Sequence, residues 1–352
     1  MMARALLHRA EGDPVLARQA SVIRGLGSPF VADILEAGQR QIERAPRVAR
    51  LIATWPGDAD DAALAMRFNA ALHAIARRSP GSPLGRLYAG VPLDKDAAVG
   101  AAVEAEEEFI ATWMQHPPQT NEVGRAGAVM AALMVLREQA PLPVDLCELG
   151  ASGGLNLNLA RYRHELGGVI AGDPSSDVLI APAWSGPPPP ARAVEIGEAR
   201  GVDLDPLDPS CDIARERLLA YVFVDQPMRR DRLGAALALA RSHPPMVERG
   251  DATAWLARQL AVPPPAGRCR VVVHSMVMQY LNDAARRCVG DLMALAGSQA
   301  TAERPLARIG FEWSPGRREV RLSLATWPGT GTPRVLATCH PYGASIAWRG
   351  TD

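Results

Sequence analysis

The run Val144-Asp145-Leu146-Cys147-Glu148-Leu149, followed at once by Gly150-Ala151-Ser152-Gly153-Gly154, constrains this chain more than any other segment. The first six residues read as a short buried strand with an acid near its end. The next five form a turn of small residues, and Leu155 to Tyr162 can then run as a helix. A strand, a small-residue turn and a helix N-terminus together let a backbone come close to a nucleotide. Only small residues tolerate that approach and the backbone angles of the turn. The segment therefore predicts a nucleotide-like cofactor.

The pattern around this segment divides the chain. Residues 1–140 show helical patterning, punctuated at Ser28-Pro29, Trp55-Pro56-Gly57 and Ser79-Pro80-Gly81. Between Ala101 and Met114, apolar Val103, Ile110, Trp113 and Met114 recur at helical spacing, with Glu104, Glu107 and Glu108 on another, solvated face. Gln115 to Glu122 break that helix, and Thr120 or Asn121 can cap the next one. From Val144 onward strands and helices alternate. The strands are read at Val144–Leu149, Ala199–Leu204, Pro245–Glu248, Cys269–Ser275 and Ala307–Trp313. Helices are read at Asp212–Tyr221, Asp231–Arg241, Ala252–Leu260 and Asp283–Leu295. That order predicts an α/β fold with a doubly wound, mostly parallel sheet.

The tail reads differently, as strands at Glu319–Thr326 and Arg334–Cys339, the latter running on toward Trp348. Only Ser314 to Arg318 separate it from the fifth strand, too few for a parallel crossover, so the last strands are expected to be antiparallel. Residues 163–198, with Pro187-Pro188-Pro189-Pro190, read as an irregular insertion. The expectation is thus a helical region over 1–140 that covers a cofactor crevice, and an α/β domain over 141–352.

Composition narrows the function. The chain has 352 residues, 48% hydrophobic, with a formal net charge of +0. Neutrality argues against a nucleic-acid partner. The five cysteines are scattered without a CxxC pair, which fits reduced thiols in the cytoplasm. Met1 to Arg9 lack an apolar signal core, and the longest apolar run, Ala126 to Leu136, is too short to span a bilayer. A cytoplasmic protein without a membrane partner is expected. No HExxH or CxxC suggests a metal, no GxSxG suggests a nucleophile elbow, and the only lysine, Lys95, is far from the glycine turn.

Four landmarks fall at successive predicted strand ends: Glu148–Gly154, Gly201–Pro206, Arg249–Ala252 and Val271–Leu281. In open α/β sheets ligands bind outside the carboxyl ends of the strands. With these landmarks the chain resembles the class I S-adenosylmethionine-dependent methyltransferases. Glu148, Gly150 and Gly154 match their acid-x-Gly-x-Gly-x-Gly motif, with Ser152 at the central glycine. The resemblance implies cofactor contacts from Glu148, Gly150, Ala151, Ser152, Gly153, Gly154 and Asn156. It makes Asp203 the acid for the ribose hydroxyls, and Asp251 with Ala252 the adenine contact. His274 and Ser275 would line the methyl-transfer pocket.

The whole chain is also similar to a bacterial family known only as a domain of unknown function. Its hallmarks match Gln119–Glu122, Gly150–Asn156, Gly201–Asp208, His274–Leu281 and His340–Gly343. Asn121 would join the cofactor set from the first of these. The interval from Gly154 to Asp203 is about twice the usual ~20 residues, so Asp205 and Asp173 are alternative ribose acids. Asp251 also reads as a helix N-cap, His274 as a core histidine, and Asn121 and Glu122 as helix-start residues.

Methyl transfer to an unidentified small-molecule or protein acceptor is the leading expectation, with S-adenosylmethionine or S-adenosylhomocysteine as cofactor. His274 and Glu122 are candidate bases, and Tyr280 and Gln279 candidate acceptor-orienting groups. The alternatives are a non-catalytic binder of the same nucleotides and, less favoured by the glycine spacing, an NAD(P)-dependent oxidoreductase.

Overall fold

The computed structural model describes residues 14–60 and 62–350. The helical reading of residues 1–13 and the signal-segment reading of Met1 to Arg9 fall outside them. Two compact units emerge: Met1–Thr120 with Asp212–Asp231, and Asn121–Cys211 with Arg232–Asp352. Among the described residues the first is all helical, from Val15–Gly25 through Glu107–Gln115 and including Asp212–Ala220. Its core is built on Leu16, Ile34, Leu35, Phe68 and Leu72. The continuous helix expected over 101–114 is two, Lys95–Ala105 and Glu107–Gln115, interrupted at Glu106.

The second unit carries every strand among the described residues: β1 (Val144–Leu149), β2 (Arg163–Leu166), β3 (Val169–Gly172), β4 (Leu179–Ile180), β5 (Ala183–Ser185), β6 (Ile196–Asp203), β7 (Val247–Arg249), β8 (Cys269–Ser275), β9 (Leu306–Trp313), β10 (Val320–Trp327), β11 (Arg334–Cys339) and β12 (Ser345–Trp348). Nine form one sheet in the order β5-β12-β11-β10-β9-β8-β1-β6-β7. From β7 to β9 all pairings are parallel. Chain order within that half runs 3-2-1-4-5, the doubly wound arrangement, and its direction switches between β1 and β8. β1 is buried at all six positions, as a central parallel strand must be. Helices Ala252–Ala261 and Asp283–Ser298 pack on this half, joining Trp255, Leu256, Val289 and Met293 to Cys147, Leu149, Val202 and Val272.

The last strands are antiparallel, as the short link after β9 requires: β9–β10, β10–β11 and β11–β12 form a meander. β11 does not run on to Trp348. His340 N–H donates to Ser345 O, Gly343 N–H donates to His340 O, and Gly343 adopts φ +68, so the chain reverses and returns as β12.

The insertion is also more regular than expected. β2 and β3 form a hairpin around Gly167-Gly168, both at positive φ, and β4 pairs parallel with β2. Strands of two to four residues are too short to show alternation, although the Gly-Gly pair is a hairpin signal. β5 then closes the edge of the main sheet beside β12. No helix among the described residues is long and apolar enough to cross a membrane.

This packing predicts a contrast within neighbouring helices. Leu256→Ala, at a fully buried position, should cost about 2–5 kcal/mol of unfolding free energy. Leu295→Ala, at a position 64% exposed, should stay within about 0.5 kcal/mol of wild type. Urea denaturation of both variants measures the difference.

Candidate functional site

The turn after β1 is held by its own neighbours. Gly150 N–H and Ala151 N–H both donate to Val202 O, at 2.8 and 3.0 Å. Ser152 N–H donates to Asp203 Oδ2 at 2.8 Å, and Gly154 N–H donates to Ala151 O at 2.7 Å. Gly150 and Gly154 adopt φ +68 and +69, where glycine is at ease. Ser152 adopts φ +55, so it occupies a left-handed backbone at the place where the resembling motif has its central glycine.

The turn leads into a 3-10 helix, Leu155–Arg161, rather than an α-helix. The polar side chains of this helix tie it elsewhere: Asn156 Nδ2 donates to Glu122 O at 3.4 Å and Asn158 Nδ2 to His243 O at 2.8 Å. Leu155 N–H is taken by Asn121 Oδ1 at 3.2 Å. The helix-terminus cradle expected from the sequence is therefore replaced by a short turn whose first donor is already engaged. Of the six N–H groups from Gly150 to Leu155, five are donated inside the protein.

Two acceptors remain. Glu148 Oε2 and Asn156 Oδ1 are buried with no hydrogen-bond partner among the described residues. A buried orphan acceptor is costly, so each marks a position where a donor from outside the chain would be stabilising. Burial pushes the Glu148 carboxyl up to about 8, helped by the nearby charge of Asp203 and opposed by Arg125.

Asn121 and Glu122 open the second unit and reach this turn. Asn121 adopts φ +28 and bonds to Leu155. Glu122, not Thr120 or Asn121, caps the 3-10 turn Val123–Arg125, accepting from Gly124 N–H at 3.0 Å. That turn leads into the buried helix Ala126–Gln139. Arg125 then links two further segments: its Nε donates to Pro341 O at 2.9 Å and its Nη1 to Ser275 Oγ at 3.2 Å. Gly124 allows close backbone approach, since a Cβ there would stand 2.5 Å from Tyr342 O. Residues 121–125 thus join the turn after β1, the end of β8 and the β11–β12 turn.

Asp203, at the end of β6, is the acid that touches the turn. Its Oδ1 accepts from Asp205 N–H at 2.9 Å, its Oδ2 accepts from Ser152, and Gly250 N–H donates to its carbonyl. Asp205 pairs instead with Arg249 at 2.8 Å, and Asp173 closes a turn with Ser175 at 2.9 Å. Asp251 is an N-cap: its Oδ1 accepts from Thr253 N–H and Ala254 N–H, both at 2.9 Å, and Ala252 begins the helix packed on the core.

His274 is 3% exposed and both ring nitrogens are engaged. Nδ1 lies 2.7 Å from Glu312 Oε1, and Nε2 accepts from Arg308 Nε at 2.9 Å. The network assigns the proton to Nδ1. Burial and the charge of Arg308 hold the imidazole below its ordinary range against the pull of Glu312. Gln279 donates to Met276 O at 3.1 Å and accepts from Arg317 at 2.9 Å, while Tyr280 is 47% exposed. Glu312, Arg308 and Arg125 were not singled out from the sequence. A glutamate between Phe311 and Trp313 at the end of an apolar strand was the available signal for Glu312.

The chain belongs to a family described as an uncharacterized protein conserved in bacteria (DUF2332), whose model matches residues 14–348. No curated protein and no solved structure proved similar to it.

The site makes two predictions. The folded protein keeps a proton on Glu148 that the unfolded chain releases above about 4.5, so the associated stability is full below that pH and is lost as pH rises through about 8. Glu148→Gln should flatten the decline between pH 5 and 8, a slope of at most about 1.4 kcal/mol per pH unit, in urea titrations of both proteins. Gly150→Ala should cost about 1–2 kcal/mol for its backbone alone. A further about 1–3 kcal/mol comes from the clash of the new Cβ with Val277 Cγ2. Val277→Ala in the same chain should recover the clash contribution but not the backbone one.

Proposed function

We propose that this family member binds S-adenosylmethionine or S-adenosylhomocysteine at the carboxyl ends of β1 and β6 and transfers a methyl group to a small-molecule or protein acceptor. The observation that carries this reading is the polarity of the groups left over at the turn. The turn after β1 has spent nearly all its N–H donors, and the buried atoms without partners are the amide oxygen Asn156 Oδ1 and the carboxyl oxygen Glu148 Oε2, the latter a full acceptor once Glu148 gives up its proton. A pyrophosphate needs N–H donors at such a turn. A ligand rich in ammonium, amino and hydroxyl groups needs acceptors. This polarity supports a sulfur nucleotide over NAD(P).

The acceptor set fits the cofactor. Asp203 brings both carboxylate oxygens beside the turn, bonded to Ser152 and Asp205, and a carboxylate oxygen can accept more than one donor. Asn156, and Glu148 when its carboxyl is ionised, supply the deeper acceptors. When bound, the sulfonium provides an electrophilic methyl for in-line displacement. The protein's part is alignment and exclusion of water. His274 serves this by position, not as a base, because its ring lies between Glu312 and Arg308. Glu122 is the remaining base candidate, and Gln279 and Tyr280 orient the acceptor from the segment after β8.

Binding without turnover is the second reading. It is favoured by the same engaged ring of His274, which leaves no histidine at the β8 end to take a proton.

Calorimetry of the full chain, folded and ligand-free, tests the proposal. Heat with S-adenosylmethionine and S-adenosylhomocysteine, and none with NAD, is expected. Asn156→Leu should weaken binding about tenfold, the equivalent of about 1.4 kcal/mol, measured on protein shown to be folded at the titration temperature. Absence of heat with both sulfur nucleotides overturns the reading. Binding with no S-adenosylhomocysteine formed in the presence of fractionated bacterial extract favours the second one.

A further inference from the structure

The segment after β8 is tied down by hydrogen bonds from several side chains. One carboxylate oxygen, Glu312 Oε1, accepts from His274 Nδ1 at 2.7 Å, Val277 N–H at 3.1 Å and Met278 N–H at 3.4 Å. Arg308 closes the far side of His274. Met276 N–H donates to Phe311 O at 2.9 Å, and Arg286 Nη1 donates to Met278 O at 2.8 Å. Gln279 is bound at one end to Met276 O and at the other to Arg317.

Held this way, the segment is strained and pressed onto the glycine turn. Met276 adopts φ +59, a left-handed backbone that an unbranched L-residue takes only under constraint. Val277 Cγ2 overlaps the place where a Cβ on Gly150 would be, and its Cγ1 lies 3.1 Å from it. The space that glycine leaves at the turn is therefore filled by a valine of the same chain. At Gly154 the corresponding space is filled by Val247 and Pro245. The two cases differ, because Val247 belongs to a strand of the sheet and Val277 to the strained segment.

We propose that residues 276–281 act as a stopper, with Val277 seated on Gly150 and Glu312 as the positioning residue that latches it. This rests on the nucleotide reading above: a sulfur nucleotide reaches the turn only in the fraction of molecules whose stopper is displaced. The measured affinity is then the intrinsic affinity reduced by that fraction, and anything that weakens the latch tightens binding. A residue that merely stabilised the site would do the reverse, so the sign of the effect separates the two roles.

The test is calorimetric titration of S-adenosylhomocysteine into the full-length wild type, Val277→Ala and Glu312→Gln, with hydrogen exchange of the ligand-free proteins. Both variants should bind about tenfold more tightly than wild type, and amides of 276–281 should exchange faster. If Glu312→Gln does not fold, Arg317→Ala, which removes one of the two anchors of Gln279, supplies the second arm with the same expected direction. If wild type binds and the variants bind equally or more weakly, the stopper is overturned and the nucleotide reading stands. If none of the folded proteins gives heat, the nucleotide reading falls and the stopper falls with it.

Discussion

A buried guanidinium holds the candidate site together. Arg125 is 7% exposed, yet it spans the β11–β12 turn through Pro341 O and the end of β8 through Ser275, and lies over the Phe311 ring at 5.9 Å. A cation so far from water is tolerable only when its donors are met. Backbone carbonyls and a hydroxyl meet them, and they come from two segments far apart in the sequence. The charge of Arg125 also opposes the upward push on Glu148. Loss of this one side chain would therefore reach the turn after β1 and the β8 exit together.

Joining these segments sets the polarity of the turn. Asn121 takes the first N–H of the 3-10 helix, Asp203 takes that of Ser152, and Val202 takes two more. The turn is self-satisfied as a donor and left rich in acceptors. Glycine turns before long α-helices have the opposite character, with donors and a positive helix end aimed outward. The difference arises because the helix here is short and its asparagines bond sideways to Glu122 and His243.

Much of this fold was legible from the residues. β1 and β8 were read with their observed bounds, since buried parallel strands are near-continuous apolar runs, interrupted here by Asp145 and Glu148 in β1 and by Arg270 in β8. The antiparallel meander was implied by the brevity of the link after β9. The small sheet of β2, β3 and β4 was not legible, because its strands are too short for a period to show. Within the site, the N-cap role of Asp251 was among the readings the residues offered. The engagement of His274 on both sides was not, because Glu312 and Arg308 lie one strand over and more than thirty residues away, and only the β8–β9 register brings them opposite. Of the residues offered for the helix start, Glu122 takes the cap in place of Thr120 or Asn121, because Asn121 is drawn off to Leu155 by a partner distant in sequence.

The same long-range contacts change what the glycines mean. Taken in isolation, Gly150 and Gly154 are positions kept small for a ligand. In the fold both are kept small first for protein, Gly150 for Val277 and Gly154 for Pro245 and Val247. Their positive φ would demand glycine even without those neighbours. Ser152 shows that the demand is not absolute, since it holds φ +55 with its N–H anchored on Asp203. A left-handed residue is thus tolerated where a charged acceptor fixes its amide, and replaced by glycine where a side chain presses from above. The turn is shaped by its protein contacts, and its chemistry toward a ligand resides in the acceptors that those contacts leave over.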